Sequence, residues 1–258
     1  MQMRVVEKEI SDVRNKVSAE EWAIRVDLAA CYRLIALYGW DDLIFTHISA
    51  RIGGSHDFLI NPYGLLFEEV TASNLVRVDL HGNKTLESPY EINPAGYTIH
   101  SAIHAAHEDV ACVLHVHTVA GIAVSCQKQG LLPISQQASI AVLSLAYHDY
   151  EGIALNPAEK VRLQEHLGNV SNFILRNHGL LTVGRSIPDA FLTMFNLQRA
   201  CEIQLAAQGH GAELIPVSEE VLKTVPGYVK AVTRGAGSAL AWAPLLRKLD
   251  RMDPSYKT

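Results

Sequence analysis

Residues 93–127 read NPAGYTIHSAIHAAHEDVACVLHVHTVAGIAVSCQ, and this stretch sets the fold class. Asn93-Pro94 opens a helix, with an Asx cap followed by proline at its favoured early position, and the helix is expected to reach about His107. Val110–His117 is a β-rich run, and Thr118–Gln127 reads as a short helix. The alternation extends outward on both sides. Ser18 and Glu21 form a capping box before an apolar stripe through Trp22, Val26, Leu34 and Leu37, closed by Gly39. Strand-like runs follow at Leu43–Arg51 and Phe58–Ile60, and Leu75–Leu80 with Lys84–Leu86 predicts a hairpin across His81-Gly82-Asn83. Further on, Ile140–Ala146 reads as a strand, and Asn156-Pro157 caps a helix to Leu167. Asn172–Arg176 and Leu180–Val183 read as strands, and Ser186 caps a long helix to about Gln208, with short helices at 217–224 and 238–249. Strands alternating with helices predict a layered α/β protein.

The chain has 258 residues, enough for one large domain or two small ones. Its formal net charge is −5, so it lacks the basic excess of a nucleic-acid binder. Hydrophobic residues make up 48% and charged residues 19%, a composition that excludes general disorder. Cys31, Cys112, Cys126 and Cys201 form no CxxC pair, which argues against a disulfide framework or a thiolate zinc site. The N-terminus lacks the apolar core of a secretory signal. The longest apolar stretch, Ala138–Tyr147, is half the length of a membrane span. A soluble cytoplasmic protein with no membrane partner is the expectation.

The chemistry sits in the histidines. His115 and His117 lie two apart on a predicted strand, so both imidazoles face one side and make half of a divalent metal site. A third ligand is expected from His178, with Gly179 allowing close backbone approach and Asn177 placed to orient a ring. A rival set is His100, His104 and His107, which share a helix face at chelating spacing.

These residues sit in motifs that resemble a known family. Leu114-His115-Val116-His117-Thr118 and Leu175-Arg176-Asn177-His178-Gly179-Leu180-Leu181 are similar to the metal-ligand motifs of the class II aldolase/adducin family. The resemblance runs from about Glu21 to Gln208 and is nearest to the adducin head. Further matching stretches include Leu37-Tyr38-Gly39-Trp40, Ala95–Ile103 and Ala146-Tyr147-His148-Asp149-Tyr150. It implies a three-layer α/β/α sandwich around a mostly antiparallel sheet, a homotetramer with sites between subunits, and a divalent metal on His115, His117 and His178. Zinc is the first choice, with iron or manganese as alternatives. The implied organisation is an arm at 1–17, the aldolase-like domain at 18–210, and an extension at 211–258 packed on the domain or on a neighbouring subunit.

The chain also departs from the aldolase pattern. Gly96 stands where the aldolases carry a glutamate ligand or acid/base, and Thr46-His47 and Tyr63 replace parts of the phosphate cradle. Sugar-phosphate cleavage is therefore not implied. A metal on three neutral histidines still suits an aldolase-like lyase, stabilising the enolate formed by retro-aldol cleavage or decarboxylation of a small oxo- or hydroxy-acid. His148 and Tyr147 are the expected proton-transfer residues, with Asp149 holding His148, and His47 and Arg51 the expected substrate contacts. Two other readings remain open: a non-catalytic adducin-like module with actin or cytoskeletal partners, and an Fe(II)-dependent oxygenase or decarboxylase.

Overall fold

The computed structural model of the chain describes residues 13–152 and 158–258. Seven strands build one sheet: β1 His47–Arg51, β2 Phe58–Ile60, β3 Val76–Val78, β4 Cys112–Val116, β5 Leu145–His148, β6 Asn172–Leu175 and β7 Gly179–Gly184. Their order is β3-β2-β1-β4-β7-β6-β5. Every neighbouring pair is antiparallel except β5 with β6, which is parallel. The sheet is thus mixed, antiparallel in the main, with helices on both faces.

Alternation along the strands sorts the layers. Leu114, Val116, Ile174 and Leu180 point to one face, packed with α1 (Ala19–Leu37) and α6 (Ile187–Gln208) in the main core. Val113, Phe173, Leu175 and Leu181 point to the other, under α2 (Pro94–Ala106) and α5 (Glu159–Leu167). Ser18 caps α1 through the Glu21 amide, Asn93 caps α2 with Pro94 at its start, and Ser186 caps α6. Short helices α3 (Val119–Ser125) and α4 (Gln136–Ala141) join β4 to β5.

Several boundaries differ from those predicted. Residues 140–144 are helical rather than extended: α4 runs into a 3₁₀ turn, and β5 begins at Leu145. Ser135 decides this, because its hydroxyl accepts from the Ala138 amide and starts a helix inside an apolar run. The hairpin at 79–83 shrinks to β3 and one bridge, Val78 to Lys84, because the Asp79 carboxylate takes the His81 and Asn83 amides in a local turn. The Asn156-Pro157 cap and most of the N-terminal arm lie outside the described residues.

Beyond α6, α7 (Glu219–Val232) buries no side chain, whereas α8 (Ala239–Met252) packs on α1 and α6. The Trp242 indole donates to Asp27, and Tyr256 is fully buried with its carbonyl accepting from the Ala72 amide.

Candidate metal centre

His115 and His117 have the same parity on β4 and its extension, and both turn toward the α2/α5 side. His178 arrives from the β6–β7 loop. Asn177 takes a left-handed φ of 56°, and the His178 amide donates to the Leu175 carbonyl at 3.1 Å, so the chain reverses and presents the ring. The three side chains offer ligand atoms that all lie within 4.8 Å of one another. No other set of three histidine, cysteine or acidic side chains among the described residues converges in this way.

Two ligands are oriented by second partners. His115 donates its Nδ1–H to the Leu180 carbonyl at 2.9 Å, and His117 donates its Nδ1–H to the Asp42 carboxylate at 3.1 Å. Both bonds fix the tautomer and leave Nε2 as the lone-pair nitrogen. The two Nε2 atoms stand 2.8 Å apart. A tetrahedral ion with bonds near 2.05 Å needs its nitrogens about 3.3 Å apart, so these two would separate by about half an ångström to share one. Gly179 is required beside them, since a Cβ there would sit 2.5 Å from the Val116 carbonyl and 3.1 Å from the His117 ring.

Two of the three imidazoles, His115 and His178, are held neutral. Burial, then the neighbouring His117, His178 and His47, keeps the pKa of His115 well below the usual imidazole value. Burial, then His117 and His148, lowers that of His178 to about 4. Neutral rings are the metal-binding form. Donor type, convergence and protonation state therefore all fit a divalent ion.

His47 lies beside the triad, its ring centroid 5.1 Å from that of His115, but it is not one of the converging donors. A hydrogen-bonded chain leads away from it: His47 Nδ1 to His100 Nε2 at 2.7 Å, His100 Nδ1 to Ser49 Oγ at 2.5 Å, and Ser49 Oγ to His104 Nε2 at 2.8 Å. The rival metal set is thereby accounted for. His100 and His104 both bond Ser49, while His107 sits at the C-cap of α2.

Two expected substrate or proton-transfer residues are not brought to the triad. Arg51 lies at the far end of β1 from His47, and its guanidinium donates to the carbonyls of His104, His107 and Val110 at the end of α2. Tyr147 precedes His148 on β5 and so faces the opposite side of the sheet. Its hydroxyl accepts from the Leu131 amide at 3.0 Å, and its ring lies 4.1 Å under the Arg176 guanidinium.

His148 does lie on the triad's face, in a small cavity that His178 also lines. Its Nδ1 is 2.9 Å from His166 Nδ1, and its Nε2 is 3.5 Å from a Glu159 oxygen. Asp149 makes no hydrogen bond to it; His166 and Glu159 are its near partners. Asn177, expected to orient a ring, instead donates to Cys126 Sγ at 3.4 Å. Asp42, Ser49 and Glu159 escaped the sequence reading. Asp42 is 75 residues from the ring it holds, and no local pattern links the two.

With this geometry in view, the match to known proteins is specific. Residues 26–205 match the family model described as the class II aldolase and adducin N-terminal domain. The chain belongs to this family. A Pseudomonas aeruginosa protein named for aldolase class 2, PA3430, is 62% identical over 250 residues, spanning 96% of each chain. Rat alpha-adducin is 43% identical over 92% of this chain and 34% of its own length. Among solved structures, an aldolase II superfamily protein from Pseudomonas syringae superposes with a TM-score of 0.91 at 52% identity, covering 96% of this chain and 100% of its own. L-fuculose 1-phosphate aldolase from Glaciozyma antarctica gives a TM-score of 0.81 at 26% identity, over 93% and 94% of the two chains. The class II aldolase fold is therefore that of this chain. No helix among the described residues is long and apolar enough to cross a membrane.

Proposed function

We propose that this chain is a divalent-metal lyase that cleaves or decarboxylates a small oxo- or hydroxy-acid. The observation that carries the reading is the triad of imidazoles, two of them tautomer-locked, with donors inside 4.8 Å. His115, His117 and His178 would hold the ion, zinc in the first instance. Bound there, it would stabilise negative charge developing on a carbonyl oxygen.

The chain's own residues divide the remaining work. His148 is proposed as the group that exchanges a proton with substrate. Burial and then His166 depress its pKa, so the ring is neutral at pH 7. His47 is proposed to contact substrate beside His115. The phosphate-cradle departures in the sequence favour an unphosphorylated substrate. Cytoplasmic location and a homotetramer with sites between subunits complete the reading, the latter by likeness to the family.

Identity with the adducin head favours a second reading, a binding platform toward cytoskeletal or other protein partners. Metal analysis and turnover separate the two. The lyase reading expects about one divalent ion per chain, lost in His178→Ala, and release of an aldehyde, pyruvate or carbon dioxide from a panel of hydroxy- and oxo-acids. Bound metal without turnover would favour the platform. Oxygen consumption by the iron-loaded protein would select an oxygenase.

A further inference from the structure

Between β5 and α5, two buried polar atoms face the cavity that His178 lines, and neither has a hydrogen-bond partner: His148 Nε2 and Glu159 Oε2. Both residues are more than nine-tenths buried, at 3% and 5% exposure. The imidazole nitrogen stands 3.5 Å from the other Glu159 oxygen and 3.9 Å from Glu151, at ion-pair range but beyond a hydrogen bond. Leaving an imidazole nitrogen and a carboxyl oxygen without hydrogen bonds in the interior is costly, so this pair calls for a polar partner that the described residues do not supply. The other walls include Ile99, Leu163 and Leu175, which are apolar.

The polar lining identifies the group. Its anions are Asp149, Glu151 and Glu159; Glu151 is neutralised by a bidentate pair with Arg162, and the other two oppose a phosphate. Its one cation, Arg176, is committed elsewhere, donating to the Gln127 carbonyl at 2.7 Å and stacking on Tyr147. A hydroxyl both donates and accepts, so one hydroxyl can donate to the Glu159 carboxylate and accept from His148 with the ring proton on Nε2.

We propose that His148 and Glu159 form the subsite for the β-hydroxyl of an unphosphorylated hydroxy acid whose carboxylate end is held at the histidine triad. The inference rests on the metal-lyase reading and adds Glu159 as a specificity-determining residue. It also explains how a lyase of this family selects a substrate without a phosphate handle, since the recognition energy moves from an anion to a neutral hydroxyl.

Calorimetry on the zinc-loaded, full-length protein tests this with lactate, glycerate and 3-phosphoglycerate, each as both enantiomers. All three chelate through carboxylate and α-oxygen, and they differ only at the β-carbon. Glycerate should bind at least about tenfold more tightly than lactate, and 3-phosphoglycerate no more tightly than lactate. In Glu159→Gln and in His148→Ala the glycerate-to-lactate ratio should fall to within about twofold of one. Calorimetric stoichiometry reports the folded fraction of each variant, so misfolding is read apart from the ratio. A ratio near one in the unmutated protein, a ratio kept by both variants, or a preference for 3-phosphoglycerate would overturn the subsite. Lactate binding that is unchanged by chelator would instead overturn the metal reading beneath it.

Discussion

A Cβ on Gly96 would lie 2.4 Å from Cδ2 of His47, so the imidazole occupies the space that any larger residue at position 96 would need. The aldolase glutamate and this histidine are mutually exclusive tenants of one volume. A glutamate at 96, which the aldolase resemblance implies for this position, could not coexist with the ring that enters from β1, beside His115 and bonded to His100.

Gly96→Ala should accordingly displace His47 and destabilise the protein by about 1–3 kcal/mol, the usual cost of overpacking. His47→Ala makes room, so the double variant should recover at least about 1 kcal/mol relative to the sum of the single changes. Denaturant unfolding of the four proteins measures the coupling, and strict additivity would refute the shared-volume account.

Asp42 should matter to metal rather than to stability. It is half exposed and holds His117 through a single hydrogen bond. Asp42→Asn should weaken zinc binding about 10–100-fold, as loss of a carboxylate behind a ligating histidine does elsewhere. Competition against a chromophoric chelator reads this directly, and unchanged affinity would mean that the carboxylate is incidental.

Arg51→Met should show the opposite pattern. The guanidinium satisfies carbonyls at the end of α2, so its loss should cost about 1–2 kcal/mol of stability. Zinc content should stay at the unmutated level. A variant that folds normally but fails to bind acids would return Arg51 to a role in substrate binding.

Acid should destabilise the metal-stripped protein before carboxylates titrate. Burial, then the Arg51 charge, lowers the pKa of His104 to about 3, against 6.5 in the unfolded chain. Below pH 6.5 the unfolded chain takes up a proton that buried His104 refuses until about pH 3. Stability is thus full above pH 6.5 and falls as pH drops through that window, by about 1.4 kcal/mol per pH unit for each such histidine. Urea midpoints between pH 7 and pH 4 should show this slope, reduced by about one histidine's share in His104→Asn. A flat profile would contradict neutral burial.

Much of this protein is readable from local pattern. The caps at Ser18, Asn93 and Ser186 mark helix starts because a short polar side chain satisfies amides within three residues of itself. The pairing of His115 with His117 follows from the two-residue period of a strand, and His178 from a motif that carries its own turn. By contrast, residues 140–144 mislead, because an apolar run serves a buried helix as well as a strand, and the Ser135 cap decides between them.

Sequence by itself determined the layered class from periodicity, the family resemblance from a series of motifs, and the pairing of His115 with His117 from strand spacing; that His178 converges on them is a property of the tertiary structure. Tertiary structure alone decided which side chains serve that centre. It gave Asp42 to His117, packed His47 over Gly96, turned Tyr147 to the far face, tied Arg51 to the end of α2, and left His148 and Glu159 unpaired together. The reason is physical: orientation, desolvation and unmet hydrogen bonds arise from contacts between residues far apart in the chain, and no local period encodes them.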